Sequence, residues 1–364
     1  MDISRAFALW QVALYPVLAS VVVRVQARDR GKSMKSVAYS LVVAASLATT
    51  SAFAAEMAVK APPPAPPPSP WDVVVTAALM NDYNFRGVTQ SNHRPSTQAG
   101  FEGRYNWNAN LQSYAGVSGE SIDFPNRAAA EIDFYGGIRP TFDKLALDFG
   151  GWYYYYPDGQ CFGPVAGAAS CSALGGGPSV AATLPNGNVV KQNANFYEWY
   201  GKATYTVNDN FNFGGSIWYS PSVLNYGAYG VYYAGNVTFT APTTWFTNGV
   251  GAYASADVGY WDLGTSDLFY AAPPAFPAGV PYTKYTNWDA GVGFTWKVLT
   301  LDLRYYDSNL TKAECNVFTS DHTATGPTAA NTTPQNPGGL GSNWCGAAFI
   351  AKLSASVDFN SNLK

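Results

Sequence analysis

Hydrophobic and polar residues alternate along most of the chain from Trp71 onward. A period of two is typical of a β-strand whose two faces meet different surroundings. In segment 285–297, for example, Trp288 and Phe294 share one face while Asp289 lies on the other. The alternation predicts twelve strands, at 72–86, 97–105, 111–120, 130–140, 145–156, 195–207, 211–219, 230–240, 249–260, 285–297, 299–307 and 347–359.

The connections between these strands are alternately short and long. Residues 141–144 and 208–210 make short connections, whereas 157–194 and 308–346 are the two longest. This alternation predicts an all-β fold, a transmembrane antiparallel up-and-down β-barrel with short periplasmic turns and long outer loops. A closed barrel leaves no strand edge unpaired in lipid, and an even number of strands places both termini in the periplasm.

Composition supports a membrane barrel over other classes. Only 12% of residues are charged and 15% are aromatic, where a soluble domain carries about 25% charged residues. A mean hydropathy of -0.08 excludes a bundle of apolar transmembrane helices, and a net charge of -3 excludes a basic nucleic-acid binder. A soluble β-sandwich would also alternate, but it would not carry Trp, Tyr and Phe at the ends of so many strands.

The amino-terminal region has the pattern of an exported protein. Residues 34–54 combine a basic start, an apolar run and an Ala-x-Ala site, which predicts a secretory signal peptide. Residues 1–33 are interpreted as a mis-annotated upstream extension, with a membrane anchor at 6–25 as the alternative. Residues 55–70 are predicted to be a proline-rich periplasmic linker in extended conformation, or alternatively a docking segment, and 71–364 the barrel.

The four cysteines fall within or beside the two longest predicted loops. Cys161 and Cys171 share one loop, and Cys315 and Cys345 flank the other. Export permits disulfides, and although four cysteines allow three pairings, loop membership favours 161–171 and 315–345. Cys161 and Cys171 have no His, Asp or Glu nearby at ligand spacing, so no metal site is predicted.

An ordered set of motifs resembles the TorF porin family of proteobacterial outer membranes. The first strand closes on NDYNFRGVTQS at residues 81–91, and further similar fragments follow at 114–116, 131–137, 153–156, 197–198 and 301–307. The resemblance covers about residues 71–360 and implies a barrel with a pore, without assigning a substrate. Two features depart from the family: the cysteine-bearing loops, and a chain that ends after Phe359 rather than on the terminal aromatic that the barrel-assembly machinery reads.

The lumen face carries the candidate chemistry. Strand parity selects these candidates for ion selectivity: Arg86, Glu102, Arg104, Glu120, Glu131, Asp133, Glu198, Lys202, Asp289, Lys297, Asp302 and Arg304, with Asp148, Lys352 and Asp358 on the same inward face. Because acidic residues outnumber basic ones, a mild preference for cations is expected. The alternative is that opposite charges pair and plug a bore of this strand number, and Arg86 itself is expected either to form an ion pair or to act in gating. The aromatic run at 152–156 is interpreted as an interface girdle, with a sugar-binding surface as the alternative.

Nothing in the sequence favours catalysis. His93 and His322 lie in predicted loops without a nucleophile motif, and no GxSxG or nucleotide-binding motif occurs. No enzyme activity, cofactor or metal is therefore predicted. The expected function is passive diffusion of small hydrophilic solutes or ions across the bacterial outer membrane, with outer-membrane lipid as the surrounding partner. The alternative is a non-conducting surface barrel, structural or adhesive, that works through its disulfide-linked outer loops.

Overall fold

The computed structural model describes residues 69–163, 168–177 and 183–362. Within these residues, twelve antiparallel strands close into one barrel. The barrel strands are β1 Trp71–Met80, β4 Ser96–Asn108, β5 Leu111–Glu120, β6 Glu131–Phe142, β7 Leu145–Tyr155, β8 Phe196–Thr206, β9 Phe211–Ser220, β10 Gly230–Thr240, β11 Val250–Leu263, β12 Tyr285–Trp296, β13 Leu299–Ser308 and β14 Ala348–Asp358. Two short strands, β2 Asn84–Phe85 and β3 Val88–Thr89, form a separate hairpin. The predicted signal peptide, the upstream extension and nearly all of the linker lie outside the described residues.

Each barrel strand pairs with its neighbours along the chain, and β1 closes the cylinder. Val75 of β1 is opposite Phe101 of β4 on one side and Val357 of β14 on the other. The predicted up-and-down barrel is therefore confirmed. The first predicted strand was too long, because β1 ends at Met80 and residues 81–86 leave the wall.

The two faces of each strand have opposite character. In β8 the side chains of Tyr197 and Trp199 are exposed on the outside, whereas Phe196, Glu198 and Tyr200 are buried inside. The same alternation recurs around the cylinder, so large apolar side chains cover its outer surface. Such a surface is stable in contact with lipid and unfavourable in contact with water.

Tyrosine rings on the inner face lie against glycines of adjacent strands. A Cβ atom on Gly116 would lie 2.4 Å from Cζ of Tyr135, and one on Gly259 would lie 1.9 Å from the Tyr232 hydroxyl. Glycine in a strand interior commonly marks such a close approach. The rings therefore narrow the lumen without pushing the strands apart.

The barrel has a turn end and a loop end. The turn end carries the short connections and both ends of the described wall, where Asn360 Nδ2 donates to the Trp71 carbonyl over 2.9 Å. The loop end carries the long connections, which include most of the short helices. The α-helices are α1 Ala168–Ala173, α2 Lys312–Thr319 and α3 Phe359–Asn362, and the 3-10 turns are Val223–Asn225, Thr243–Trp245, Leu268–Tyr270 and Ala329–Asn331. Among the described residues, no helix is long and apolar enough to cross a membrane.

Candidate functional site

A short hairpin folds from the end of β1 into the lumen at the loop end. This plug segment, residues 81–91, contains β2 and β3 joined by the turn at Arg86 and Gly87. Both turn residues have positive φ, 51° and 81°, which is the geometry of a tight type I′ hairpin turn. Asn84 supports the turn, since its side-chain oxygen accepts from the Gly87 amide over 2.9 Å. The turn thus presents the Arg86 side chain at the tip of the plug segment.

Arg86 forms a buried ion pair with the opposite wall. Its two terminal nitrogens, Nη1 and Nη2, each donate to one carboxylate oxygen of Glu198, on β8, over 2.8 Å. Tyr154 also donates its hydroxyl to Glu198 over 3.0 Å. The side chains of Arg86 and Glu198 are 6% and 0% exposed. Two parallel bonds between a guanidinium and a carboxylate are among the strongest hydrogen bonds in proteins. Here they join the tip of the plug segment to strand β8 of the wall.

Aromatic rings surround the Arg86 guanidinium. Its Cζ lies 4.2 Å from the ring centroid of Tyr232, 4.4 Å from Trp261, 4.6 Å from Phe85 and 5.5 Å from Trp218. These distances lie within the range of cation–π attraction. Rings from three wall strands and from the plug segment itself therefore fill the space around the ion pair.

The root of the plug segment is held by Asp82 and His93. Asp82 accepts from the hydroxyls of Thr89 and Ser91, and its other oxygen lies 2.8 Å from His93 Nδ1. His93 Nε2 lies 2.8 Å from the Asn343 carbonyl. Both neighbours of the ring accept hydrogen bonds, so only the protonated imidazolium satisfies both. The hydrogen bond to Asp82 accordingly raises the pKa of His93 above 6.5.

A layer of aromatic side chains covers the plug segment. This cap layer contains Tyr226, Tyr270, Tyr282, Phe318 and Trp344, all of which are buried. The Tyr226 ring lies 4.9 Å from Tyr270 and 5.5 Å from Tyr282, centroid to centroid. The Thr89 amide of the plug segment donates to the Trp344 carbonyl over 2.9 Å. The loops at this end therefore pack into a core of their own, directly above the lumen.

Two disulfides cross-link the loops at this end. The bonds are Cys161–Cys171 and Cys315–Cys345, as the positions of the cysteines predicted. Cys345 also forms a β-bridge with Val88 of the plug segment. The second disulfide thus holds the chain against which the plug segment packs.

Below the plug segment, charged side chains of the wall pair with one another. Arg139 donates to both oxygens of Glu102, over 2.8 and 3.1 Å, and Arg104 donates to the same carboxylate. Arg304 bridges Asp289 and Asp302 in the same way. Opposite charges are therefore extensively paired in the wall. The sequence analysis considered such pairing as the alternative to a passage lined by free charges.

The lumen remains open at the turn end. A cavity of about 400 Å³ is lined by polar residues, among them Arg139, Asp148 and Lys202. The Lys202 ammonium lies over the Tyr200 ring, 4.5 Å from its centroid. This vestibule is open to solvent at the turn end.

The structure places the sequence-predicted residues as follows. Most lie on the inner wall, namely Glu102, Arg104, Glu120, Glu131, Asp133, Glu198, Lys202, Asp289, Asp302 and Arg304. Arg86 enters the lumen from the plug segment. Lys297 was assigned to the lumen wrongly: β12 ends at Trp296, so Lys297 lies exposed in the turn with its ammonium 4.7 Å from the Trp296 ring centroid.

Three charged residues of the inner wall were missing from the sequence-based set. Asp72 approaches Arg104, Arg139 joins Glu102, and Asp257 lies directly opposite Asp289. All three fall inside predicted strands. Arg139 has the same parity as Glu131 and Asp133, and Asp257 lies in segment 249–260, so strand parity alone was sufficient to identify them.

Three carboxylates meet on the inner wall where β5 and β6 reach the loop end. Glu120, Glu131 and Asp133 each offer an oxygen, and these atoms lie within 4.8 Å of one another. Oxygen-only donors of this kind suit a hard cation. These three are the residues of the described chain that could hold a metal.

The two histidines of the described chain have structural partners. The exposed ring of His93 lies between Asp82 and a backbone carbonyl, and His322 Nε2 lies 3.3 Å from Asp123. Neither ring faces a hydroxyl or thiol that it could activate.

Comparison with known proteins finds one family model that matches part of the chain and several similar solved structures. Residues 64–176, which include β1 to β7, match the model of a family described as a bacterial protein of unknown function, Gcw_chp. No curated protein matches the chain.

Similar solved structures include a NanC porin, at 9% identity and a TM-score of 0.38 over 78% of this chain and 98% of that one. LpxR from Salmonella typhimurium is similar at 8% identity and a TM-score of 0.37, over 78% and 99% of the two chains. Salmonella typhi OmpF in complex with daunomycin is similar at 9% identity and a TM-score of 0.30, over 79% and 97%. Similarity at this level assigns neither ligand nor activity to this chain.

Proposed function

We propose that this chain is an outer-membrane barrel of porin type whose lumen is closed at rest by the plug segment. Displacement of that segment opens a narrow passage for small hydrophilic solutes or ions, with a mild preference for cations. The loop end faces outward and both termini lie in the periplasm. We also propose that the chain belongs to the TorF family, on the basis of the ordered set of motifs that begins at residues 81–91.

The ion pair between Arg86 and Glu198 is the observation that carries the proposal. It joins the tip of the hairpin to the far wall through two charge-assisted hydrogen bonds, and it adds to the contacts that Tyr83 makes with Glu131 and Thr89 with Trp344. Breaking such a buried pair by removing one partner costs about 3–5 kcal/mol, because the other charge is left buried and alone. A contact of this size holds the lumen closed and is still small enough to be overcome.

The polar wall beneath the plug segment supports a conducting role. Charged residues continue from the vestibule at Arg139 up to Glu198, under the plug segment. For a wall that served only to stabilise the barrel, well-packed apolar side chains in place of buried paired charges are often equally or more stabilising. A wall lined by fixed charges is typical of ion-selective passages.

The closure of the loop end favours a second candidate, a non-conducting barrel that acts through its outer loops. A small cavity of about 30 Å³, lined by Phe85 and Val88 of the plug segment and by Trp344 of the cap layer, lies between the two. Two disulfides reinforce the same region. In this case the plug segment is a permanent part of the core, and its displacement never occurs.

Single-channel recording in planar bilayers distinguishes the two. We expect the purified wild-type protein to open rarely, and Arg86→Gln to raise the open probability more than a hundredfold, as about 3 kcal/mol implies. The double variant Arg86→Gln, Glu198→Gln removes both charges and is expected to open to an intermediate extent.

Arg304→Gln is the matched control, since it removes a wall arginine with two acidic partners and leaves the plug segment untouched. Its open probability is expected to remain at the wild-type level. If Arg86→Gln folds, as heat-dependent gel migration reports, and stays silent, the channel proposal fails and the non-conducting barrel is favoured.

A further inference from the structure

The carboxylates of Glu120, Glu131 and Asp133 form a deeply buried cluster on the lumen wall. Glu120 and Glu131 are directly opposite each other across β5 and β6, and Asp133 is one inward position further along β6. The three residues are 3%, 2% and 4% exposed. The cluster therefore concentrates acidic groups in a place that bulk water does not reach.

The hydrogen bonds that the protein makes to this cluster leave two of its carboxylate oxygens without a partner. Glu131 accepts from the hydroxyls of Tyr83 and Tyr156, over 2.6 and 2.7 Å, and Glu120 Oε1 accepts from Gln98 over 2.8 Å. Glu120 Oε2 and Asp133 Oδ1 are buried and have no hydrogen-bond partner. A buried polar atom that lacks a partner is costly and calls for an explanation such as an ion.

Basic side chains do not balance the cluster. Lys352 reaches it only through Gln98, whose Oε1 accepts from the Lys352 ammonium over 2.8 Å while its Nε2 donates to Glu120. Glu102, on the same wall, instead contacts two arginines directly. Two arginines therefore neutralise the negative charge of Glu102, whereas no basic side chain forms a direct ion pair with the cluster of Glu120, Glu131 and Asp133.

We propose that Glu120, Glu131 and Asp133 bind one hard divalent cation, with Ca²⁺ as the best fit. The donors are all oxygens, which such cations prefer. Two oxygens on one Ca²⁺ lie no further apart than twice the Ca²⁺–O distance of about 2.3–2.6 Å, and the separations here, within 4.8 Å, meet that limit. The unpartnered oxygens of Glu120 and Asp133 become ligands, and Glu131 contributes an oxygen that already accepts from a tyrosine.

The cation also fixes the plug segment to the wall. Tyr83 belongs to that segment and donates to Glu131, so a cation that orders Glu131 orders its contact with Tyr83 as well. Binding itself is independent of conduction. A barrel that never opens would still bind the ion.

Terbium luminescence tests the site in the purified full chain folded in detergent. Tb³⁺ substitutes for Ca²⁺, and the phenol rings of Tyr83 and Tyr156 on Glu131 are placed to sensitise its emission. We expect saturable emission from one Tb³⁺ per chain, displaced by Ca²⁺. Glu120→Gln and Asp133→Asn are each expected to bind at least tenfold more weakly, and Glu102→Gln, the matched control, to bind as the wild type does.

Equilibrium dialysis with radioactive Ca²⁺ measures directly whether the wild-type chain binds the ion, without any variant. Absence of bound Ca²⁺ at pH 7 overturns the proposal, as does wild-type affinity in folded Glu120→Gln and Asp133→Asn. If Glu120→Gln or Asp133→Asn fails to fold, Glu120→Asp serves instead. It keeps the negative charge but shortens the side chain by one methylene, which moves the carboxylate away from the cation. Tenfold weaker binding by that variant supports the site, and unchanged affinity overturns it.

Discussion

Arg86 combines an unfavourable backbone with a favourable side-chain environment. Its φ of 51° lies in the left-handed region, which costs energy for any residue except glycine. Non-glycine residues persist there when the surroundings compensate, and they cluster at functional sites. The bidentate bond to Glu198 and the enclosing rings supply that compensation. The ion pair and the enclosing rings therefore offset the cost of the left-handed backbone at Arg86.

His93 is expected to make the root of the plug segment sensitive to pH. Asp82 raises its pKa above 6.5 through a direct hydrogen bond, the Asn343 carbonyl contributes a second one, and Asp321 adds to the field. A raised pKa means that protonated His93 stabilises the folded form, fully so below about pH 6.5. That stabilisation is lost as the pH rises through the folded-state pKa.

NMR titration of the imidazole resonances measures this shift. We expect a His93 pKa above 6.5 in the wild type and a return toward 6.5 in Asp82→Asn. Assignment uses His93→Gln, which removes the resonance and leaves that of His322. A His93 pKa at or below 6.5 would contradict the geometry of two accepting neighbours.

The plug hairpin shows why one predicted element was wrong. Segment 72–86 continues the period of two beyond Met80, and Tyr83 and Phe85 are as suitable for a wall strand as for a lumen hairpin. Asn81 ends the wall strand by pairing its side chain with β14, at the Ala351 amide and the Phe349 carbonyl. The chain then turns inward, because the lumen offers Glu131 and Glu198 as partners for Tyr83 and Arg86. The alternation of residues along segment 72–86 does not show which distant side chains Tyr83 and Arg86 will contact.

The two disulfides are expected to differ in their contribution to stability. Cys315–Cys345 closes a sequence separation of 30 residues, and Cys161–Cys171 one of 10. In the chain-entropy view, stabilisation rises with the logarithm of loop length, which gives the longer loop an advantage of about 1 kcal/mol out of a total of about 3–4 kcal/mol. Replacing Cys315 and Cys345 by Ala is therefore expected to be the more destabilising change.

Hydrogen exchange at the loop end compares the two paired variants. Faster exchange is expected at the Thr89 amide when Cys315 and Cys345 are replaced, because that amide donates to Trp344 beside the bridge. The control is Cys161→Ala, Cys171→Ala, which leaves that contact in place. Equal or slower exchange at Thr89 in the first variant would argue against a role of this disulfide in holding the plug segment.

At the scale of the whole barrel, the inner wall is more acidic than basic, so the open passage is expected to prefer cations. The added acidic members, Asp72 and Asp257, strengthen the excess that the sequence indicated, whereas in the basic set Arg139 takes the place of Lys297 and leaves the number unchanged. In Arg86→Gln channels under a KCl gradient, the reversal potential is expected to be cation-selective.

Asp257→Asn tests the origin of that selectivity, since Asp257 lies opposite another acidic residue, Asp289. We expect the reversal potential to move toward zero in this variant. Asp143→Asn makes the same substitution in an exposed turn outside the lumen and is expected to leave selectivity unchanged. Anion-selective currents in the parent channel would refute the assignment of charge to the passage.

The sequence by itself determined the twelve strands, their inward and outward faces and the disulfide pairs. Each of these follows from short-range order: alternate burial along a strand is visible in a few neighbouring residues, and cysteines within one loop are close before the chain folds.

The tertiary structure alone decided the position of the plug segment and the acidic cluster. Arg86 meets a carboxylate 112 residues away, and Tyr83 meets one 48 residues away. Such contacts exist only once the cylinder has closed and brought distant strands to face one hairpin. Their stability depends on desolvation and on the positions of several partners at once, which no local pattern of residues encodes.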